Sequence, residues 1–178
     1  QLFLEALDEG FTDFIIGVGG SATNDGGAGM IQAMGGKLTD KDGSDIARGG
    51  IALSTLENID VSGLDPRMTD ASVVVACDVN NPLCGPRGAS AIFGPQKGAT
   101  YEDVQELDAA LGNFAGVITK DLHTDVADIP GAGASGGLGA GLMGFFNARL
   151  RLGADIVLEA VELEKHLEDA DLVIVGEG

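Results

Sequence analysis

Tryptophan is absent from this 178-residue chain, and aromatic residues make up only 4% of it. A core must therefore be built from aliphatic side chains. Cysteine is scarce as well. The pair Cys77 and Cys84 is too small a set for a disulfide scaffold, so reduced thiols in a cytoplasmic setting are expected. Basic residues number ten against 28 acidic ones, for a net charge of -18. Nucleic-acid and anionic-membrane partners both need a basic surface and are excluded on this ground. No run of 18 apolar residues occurs, so no transmembrane helix is expected, and Gln1-Leu2-Phe3-Leu4-Glu5 lacks the basic start of a signal peptide. The first residue is not methionine and the last falls in a glycine turn, which leads us to expect a piece of a longer chain.

Glycine is what the chain has in excess: 29 residues, roughly twice average usage. The glycines cluster between apolar runs, a pattern of tight turns and close backbone approach rather than disorder. Leu2 to Leu7 reads as a helix stopped by Gly10, and Asp13 to Val18 as a short buried strand. Ala28 to Met34 reads as a helix. Asp40-Lys41-Asp42-Gly43 reads as a hairpin turn, and Ser72 to Cys77 as a β-branched strand. Residues 81–100 should pack despite their prolines and glycines. Thr100 should cap a helix running to about Lys120, with Glu102 and Asp103 in its first turn. A glycine stretch from Gly131 leads into a helix through Arg149. Residues 156–167 look helical, and Asp171 to Val175 looks like a last strand. Strands alternating with helices give an α/β class, a mixed sheet with flanking helices.

Four loops could carry chemistry. Gly17 to Asp25 follows a strand and precedes a helix. Its Gly19 and Gly20 amides can converge on an anion, Ser21, Thr23 and Asn24 add hydroxyl and amide contacts, and Asp25 suits a cap, a metal or a ligand hydroxyl. A plain strand-to-helix turn capped by Asn24 or Asp25 remains the simpler alternative. Asp78 follows the Ser72–Cys77 strand, where open α/β sheets place ligands, and could accept a proton or hold Mg2+. The same carboxylate could instead cap its own turn. Asn81 and Arg87 share that loop, while Cys84 has no histidine beside it and is structural. Lys97, in Phe93-Gly94-Pro95-Gln96-Lys97-Gly98, is a candidate for phosphate or carboxylate, against a solvated loop lysine. No Gly-Lys-Ser/Thr sequence is present, which excludes a P-loop NTPase. Ser135 and Gly136 are the ligand candidates of the Gly131 loop, whose later glycines have packing spacing. His123 and His166 are isolated, and Glu177 stands in the last glycine turn.

In these loops the chain resembles the class I glycerate kinase family. The resemblance rests on Gly17 through Met30, Cys77-Asp78-Val79 with Asn81 to Gly85, Phe93 to Ala99, Pro130 to Gly139, and Gly176-Glu177-Gly178. It implies ATP-dependent, Mg2+-assisted phosphorylation of D-glycerate to 2-phosphoglycerate, in a cleft between two domains. Residues 1–170 would be the inserted α/β substrate-binding domain. Residues 171–178 would start the return strand to a Rossmann-like domain. By that resemblance Asp78 and Lys97 are catalytic and Asp78 also holds the metal. Gly19, Gly20, Ser21, Thr23, Asn24, Asp25, Asn81, Arg87, Ser135, Gly136 and Glu177 contact substrate or phosphate. The family's Asp-Ser-Phe-Lys segment, and its residues beyond Gly-Glu-Gly, are missing partners from its own chain. Two rival readings stand beside this one. One is a dinucleotide-dependent oxidoreductase, on Gly17-x-Gly19-x-x-Ala22 with Asp40 or Asp42 for the ribose. The other is a module that binds ligand and turns nothing over.

Overall fold

Two parallel strand pairings organise the molecule, which was obtained as a computed structural model describing residues 1–174 and 176. Strand β1 (Asp13–Gly17) pairs in parallel with β4 (Ser72–Ala76), and β4 pairs in parallel with β5 (Arg149–Arg151), giving the order β1-β4-β5. A separate antiparallel pair joins β2 (Lys37–Thr39) to β3 (Asn58–Asp60). The α/β class with flanking helices therefore holds, with the two pairing senses in separate sheets.

The central strand β4 buries Val73 and Val75 on one face and half-buries the alternate residues. That is the period-2 pattern of a strand with one well-packed side. The other apolar strand, β1, differs from the fully buried strand that its composition suggests. It is an edge strand, so Phe14 and Ile16 pack on the core while Ile15 is 66% exposed.

Helix α1 (Leu2–Asp8) precedes β1, and α2 (Ala28–Ala33) follows the first glycine loop. The turn at Asp40 is real. Its carboxylate accepts the Asp42 and Ser44 amides, and an isolated bridge links Thr39 to Asp45. Its first arm, however, finds its main partner in β3. Short α3 (Ala89–Phe93) lies inside the proline-rich segment and buries Ala89 and Ser90, so that segment packs as expected.

The long helix α4 (Tyr101–Leu122) begins at Thr100. The Thr100 hydroxyl accepts the Asp103 amide while the Asp103 carboxylate accepts the Thr100 amide, a reciprocal capping box. Its inner face buries Leu111, Phe114, Ala115 and Ile118. Phe114 is fully buried, and such a ring contributes roughly 1.5–3 kcal/mol.

Helix α5 (Ala134–Phe146) ends earlier than Arg149. Asn147 takes a left-handed conformation (φ 50°) and stops it, which frees Arg149–Arg151 to become β5. Helices α6 (Gly153–Ala160) and α7 (Leu163–Leu167) are separated by left-handed Glu162. Residues 171–174 are irregular, without the strand pairing expected of Asp171 to Val175, and Leu172 and Ile174 are exposed. An apolar run becomes a strand only where a sheet edge receives it, and none does here among the described residues.

Candidate functional site

Because β1 and β4 are parallel neighbours, the loops that leave them emerge at the same edge of the sheet. The first loop runs from Gly17 to Asp25 and the second from Asp78 to Gly88. The Pro95–Lys97 turn and the start of α5 close around them. Val18, Gly19, Gly20, Ser21, Lys97 and Ser135 line one pocket of about 190 Å3 between these segments. That is below the roughly 300–1,000 Å3 of sites for drug-sized ligands, and suits a small polar molecule or one end of a larger one.

Lys97 anchors the pocket. Its Nζ donates to the Thr23 carbonyl at 2.6 Å and to the Ser21 hydroxyl at 3.2 Å, tying the third loop to the first. Both acceptors are neutral, and no ion pair to Lys97 occurs among the described residues. Partial burial draws its pKa below the ordinary lysine value, with the Asp25 charge pulling the other way. A half-buried ammonium with neutral partners is a ready receptor for an anion.

Ser135 enters from the opposite side. It holds a left-handed backbone (φ 52°) at the head of α5, followed by two left-handed glycines, Gly136 and Gly137. Such strain in a non-glycine residue costs roughly 1–3 kcal/mol and clusters at functional sites. Its Oγ is buried and, among the described residues, without a hydrogen-bond partner. Gly136 itself is buried and lies against Thr23 and Asn24. Its carbonyl accepts the Gly26 amide at 3.0 Å. Gly141 lies against the Gly26 carbonyl and Gly137 against Leu83 and Leu111, so the later glycines do serve packing.

Asn24 donates from Nδ2 to the Ser90 hydroxyl at 2.9 Å, while its Oδ1 is buried without a partner among the described residues. Asp25 accepts the Gly27 and Gly29 amides, the capping role of the simpler reading. Asp78 Oδ1 accepts the Gly153 amide at 2.8 Å, so it caps a distant helix, α6, and not its own turn. Its other oxygen has no hydrogen bond among the described residues, and its neighbour Val79 lines the pocket. Asn81 braces the second loop: its side chain donates to the Arg87 carbonyl and its own carbonyl accepts the Gly131 and Gly133 amides. Arg87 is exposed and lies outside the pocket lining. Glu177 lies outside the described residues.

Several contributors lie outside the candidate residues named from the sequence. Phe93, Gln96 and Val79 line the pocket, Ser90 orients Asn24, and the Asp108 carboxylate holds the Gly85 amide. Only Ser90 had a local cue, as a lone hydroxyl in the apolar run Ala89 to Phe93. The Cys84 thiol is pushed up to about 12, first by burial and then by Asp108 and Asp128, which keeps it a thiol. No cluster of three or more His, Cys, Asp or Glu side chains among the described residues could hold a metal by itself. Asp40 Oδ1 accepts the Asp42 and Ser44 amides of its own turn after the short β2.

The model of the glycerate kinase family matches residues 1–178. This chain belongs to the glycerate kinase family. It is 58% identical over 178 residues to a glycerate 2-kinase of Escherichia coli (strain K12) and 57% identical to a glycerate kinase of Bacillus subtilis (strain 168). In each case the alignment takes in 100% of this chain and 47% of the relative. A solved structure of a candidate glycerate kinase 2 from Salmonella typhimurium LT2 superposes with a TM-score of 0.94 at 59% identity. That match covers 99% of this chain and 47% of the other. The chain therefore spans about half the length of the relatives it matches. Membership of this family sets aside the oxidoreductase reading. Among the described residues no helix is long and apolar enough to cross a membrane.

Proposed function

We propose that this chain forms one wall of the cleft of a glycerate kinase that transfers phosphate from magnesium-ATP to the 2-hydroxyl of D-glycerate, giving 2-phosphoglycerate in the cytoplasm. The observation that carries this reading is Lys97: an ammonium held by neutral oxygens at the mouth of the glycine loops, in a protein of net charge -18. The opposite wall would come from the remainder of a longer chain. An apolar hollow of about 760 Å3, lined by Leu2, Phe3, Phe14, Ile16, Met30 and Met34, supports such a covering surface.

The residues present fit the groups this reaction needs. Lys97 and the exposed Gly19 and Gly20 amides are donors for a carboxylate or phosphate. The one Asp78 oxygen without a hydrogen bond among the described residues would serve either Mg2+ or a proton, not both at once. With that oxygen taking the proton, Mg2+ would be held by the phosphate oxygens it arrives on. Magnesium-ATP, when bound, supplies the phosphoryl group with part of its charge already neutralised. The chain's own part is positioning and proton handling. Lys97 with Ser21 receives the anionic end of the acid, and Ser135 offers a hydroxyl from the facing loop. Asp78 takes up the proton of the 2-hydroxyl through its free oxygen, while its bond to the Gly153 amide fixes the carboxylate plane. Thr23 acts through its backbone carbonyl, Asp25, Asn81 and Gly136 act through the loop framework, and Arg87 stays exposed outside the pocket lining.

The test is D-glycerate-dependent ADP release by the full-length parent chain. 31P spectroscopy of the product separates phosphate on a secondary carbon (a doublet) from phosphate on a primary one (a triplet). Absence of D-glycerate-dependent ADP refutes the activity, and a triplet refutes the position. Asp78→Asn keeps an oxygen for the Gly153 amide and removes the proton acceptor, so turnover should fall by about 100-fold or more with the melting temperature held. Turnover near wild type would remove Asp78 from the chemistry.

A further inference from the structure

Two neighbouring side chains of one short turn line the pocket, and among the described residues only one of them has partners. Lys97 donates to the Ser21 hydroxyl and to the Thr23 carbonyl. Gln96, the residue before it, is exposed at the pocket and has no hydrogen-bond partner among the described residues. The turn that carries both is stiff. Pro95 fixes its start, the Lys97 amide donates to the Gly94 carbonyl at 2.9 Å, and the Gly98 amide donates to the Pro95 carbonyl at 3.0 Å. Gly98 then leaves the turn in a left-handed conformation (φ 93°). The backbone of Gln96 is thus set before a ligand arrives, with its Cα about 3.8 Å from that of Lys97. Two side chains so rooted, lining one pocket, can meet the two ends of a three-carbon acid.

The rest of the lining offers little to a hydroxyl group. A hydroxyl is satisfied by an acceptor as well as a donor, whereas a carboxylate needs donors alone. Lys97 and the Gly19 and Gly20 amides are donors, and apolar residues such as Val79 and Phe93 supply neither kind of group from their side chains. The Ser21 oxygen already accepts from Lys97, and the Ser135 oxygen is buried. Gln96 brings the one side-chain carbonyl of the lining, with an NH2 beside it. On the ligand, the carboxylate goes to Lys97 and the 2-hydroxyl to Asp78, and the 3-hydroxyl is the group still without a partner.

We infer that Gln96 binds the 3-hydroxyl of the acid and is the residue that selects a 2,3-dihydroxy acid over a 2-hydroxy acid. This rests on the hydroxy-acid reading above and extends it to a group which that reading leaves unassigned. One amide supplies both the acceptor and the donor that a hydroxyl takes, next to the ammonium that receives the carboxylate.

The test sets D-glycerate against D-lactate, which keeps the carboxylate and the 2-hydroxyl and lacks only the 3-hydroxyl. Dissociation constants for both acids are measured by ligand-observed NMR on the full-length parent chain as wild type, Gln96→Leu and Gln96→Ala, with a melting temperature for each. Wild type should favour D-glycerate by about tenfold or more, since a site built for a hydroxyl rejects the analogue that lacks it. Gln96→Leu keeps the approximate bulk of the side chain and removes its polar atoms. It should bring the two acids within about threefold, through weaker D-glycerate binding with D-lactate changed by less than about twofold, and Gln96→Ala should do the same. Because Gln96 is exposed, both variants should melt within about 2 °C of wild type. A preference that survives in both variants overturns the inference and returns Gln96 to the solvated surface. Equal weakening of both acids overturns it by placing Gln96 at the carboxylate. A loss confined to Gln96→Leu overturns it as a steric effect. Equal binding of the two acids by wild type overturns it by showing that the 3-hydroxyl is not recognised. A wild type that binds neither acid refutes the underlying hydroxy-acid reading itself.

Discussion

Replacing Gly136 by alanine should damage both stability and ligand binding, and the size of the effect follows from two separate costs. Gly136 has φ +70°, a region where an L side chain costs roughly 1–2 kcal/mol. A Cβ there would also overlap the Thr23 carbonyl and crowd the Asn24 Cα. Overpacking against backbone that cannot swing aside adds about 1–3 kcal/mol. The sum, about 2–5 kcal/mol, corresponds to a melting temperature lowered by about 4–20 °C for a domain of this size. Two glycines of the first loop provide the controls. Gly20 has φ +63° but open space around its Cβ position, so Gly20→Ala should carry the conformational cost alone, about 2–8 °C. Gly17 has neither a positive φ nor a neighbour within 4 Å, and Gly17→Ala should stay within about 2 °C of wild type. Thermal unfolding followed by circular dichroism, without ligand, gives the order Gly17, Gly20, Gly136. Because the Thr23 carbonyl also holds Lys97, Gly136→Ala should raise the D-glycerate KM as well. A Gly136→Ala protein that melts with Gly17→Ala would refute the view that the loops are locked together by backbone contact.

The remaining expectations are simpler. Thr100→Ala removes the hydroxyl half of the α4 capping box and should lower the melting temperature by about 2–4 °C. In wild type the Thr100 hydroxyl and amide hold the Asp103 carboxyl below its usual value. That contribution is present above the unfolded-state pKa and lost as pH falls through the folded one, so the penalty of Thr100→Ala should fade in strong acid. Lys97 should show a dependence of the same sign in a more alkaline window. Burial lowers its folded pKa, so stability should rise with pH between that value and the ordinary lysine pKa, while D-glycerate affinity falls across the same window. A Lys97→Met protein that keeps both slopes would assign them elsewhere. With 28 acidic against ten basic residues, added NaCl should raise the melting temperature between about 0.01 and 0.15 M, as the Debye length falls from about 30 to about 8 Å. A falling melting temperature would refute self-repulsion as a destabilising force.

What could be read from the sequence was whatever is decided within a few residues. Thr100 and Asp103 form their capping box from neighbouring backbone, and Ser72 to Cys77 carries its β-branched run wherever it is placed. The turn at Asp40 likewise depends on its own carboxylate. What could not be read was decided by partners far along the chain. Arg149-Leu150-Arg151 has no strand signature and becomes β5 because β4 offers an edge. Asn58-Ile59-Asp60 becomes β3 because β2 does. The four loops were identifiable by their glycines, but their convergence required the parallel pairing of β1 with β4. The identities of Asp25 and Asp78 admitted both a capping and a chemical role. Only their partners, the Gly27 and Gly29 amides in one case and the Gly153 amide in the other, show how much of each carboxylate is already used.

That use of carboxylates explains how an acidic protein can keep a working cation. A lysine in a chain of net charge -18 would ordinarily be neutralised by an adjacent acid, and a neutralised ammonium offers little to an incoming anion. The acid whose charge reaches Lys97 is Asp25, and both its oxygens are turned onto the amides at the start of α2. Lys97 is then held by a carbonyl and a hydroxyl, which fix its position without cancelling its charge. The surrounding loops are fixed in turn by the Gly26–Gly136 hydrogen bond, by Asn81 bridging to Gly131 and Gly133, and by Asp108 on the Gly85 amide. The ordering cost of the half-site is thus met during folding, so the ligand encounters donors already aimed at it. On this argument the capping role of Asp25 is a condition for anion binding. Asp25→Ala should therefore loosen α2 and, by removing the charge that pulls the Lys97 pKa upward, lower that pKa further, whereas an acid newly placed at Ser21 should abolish D-glycerate binding by ligand-observed NMR while the melting temperature survives.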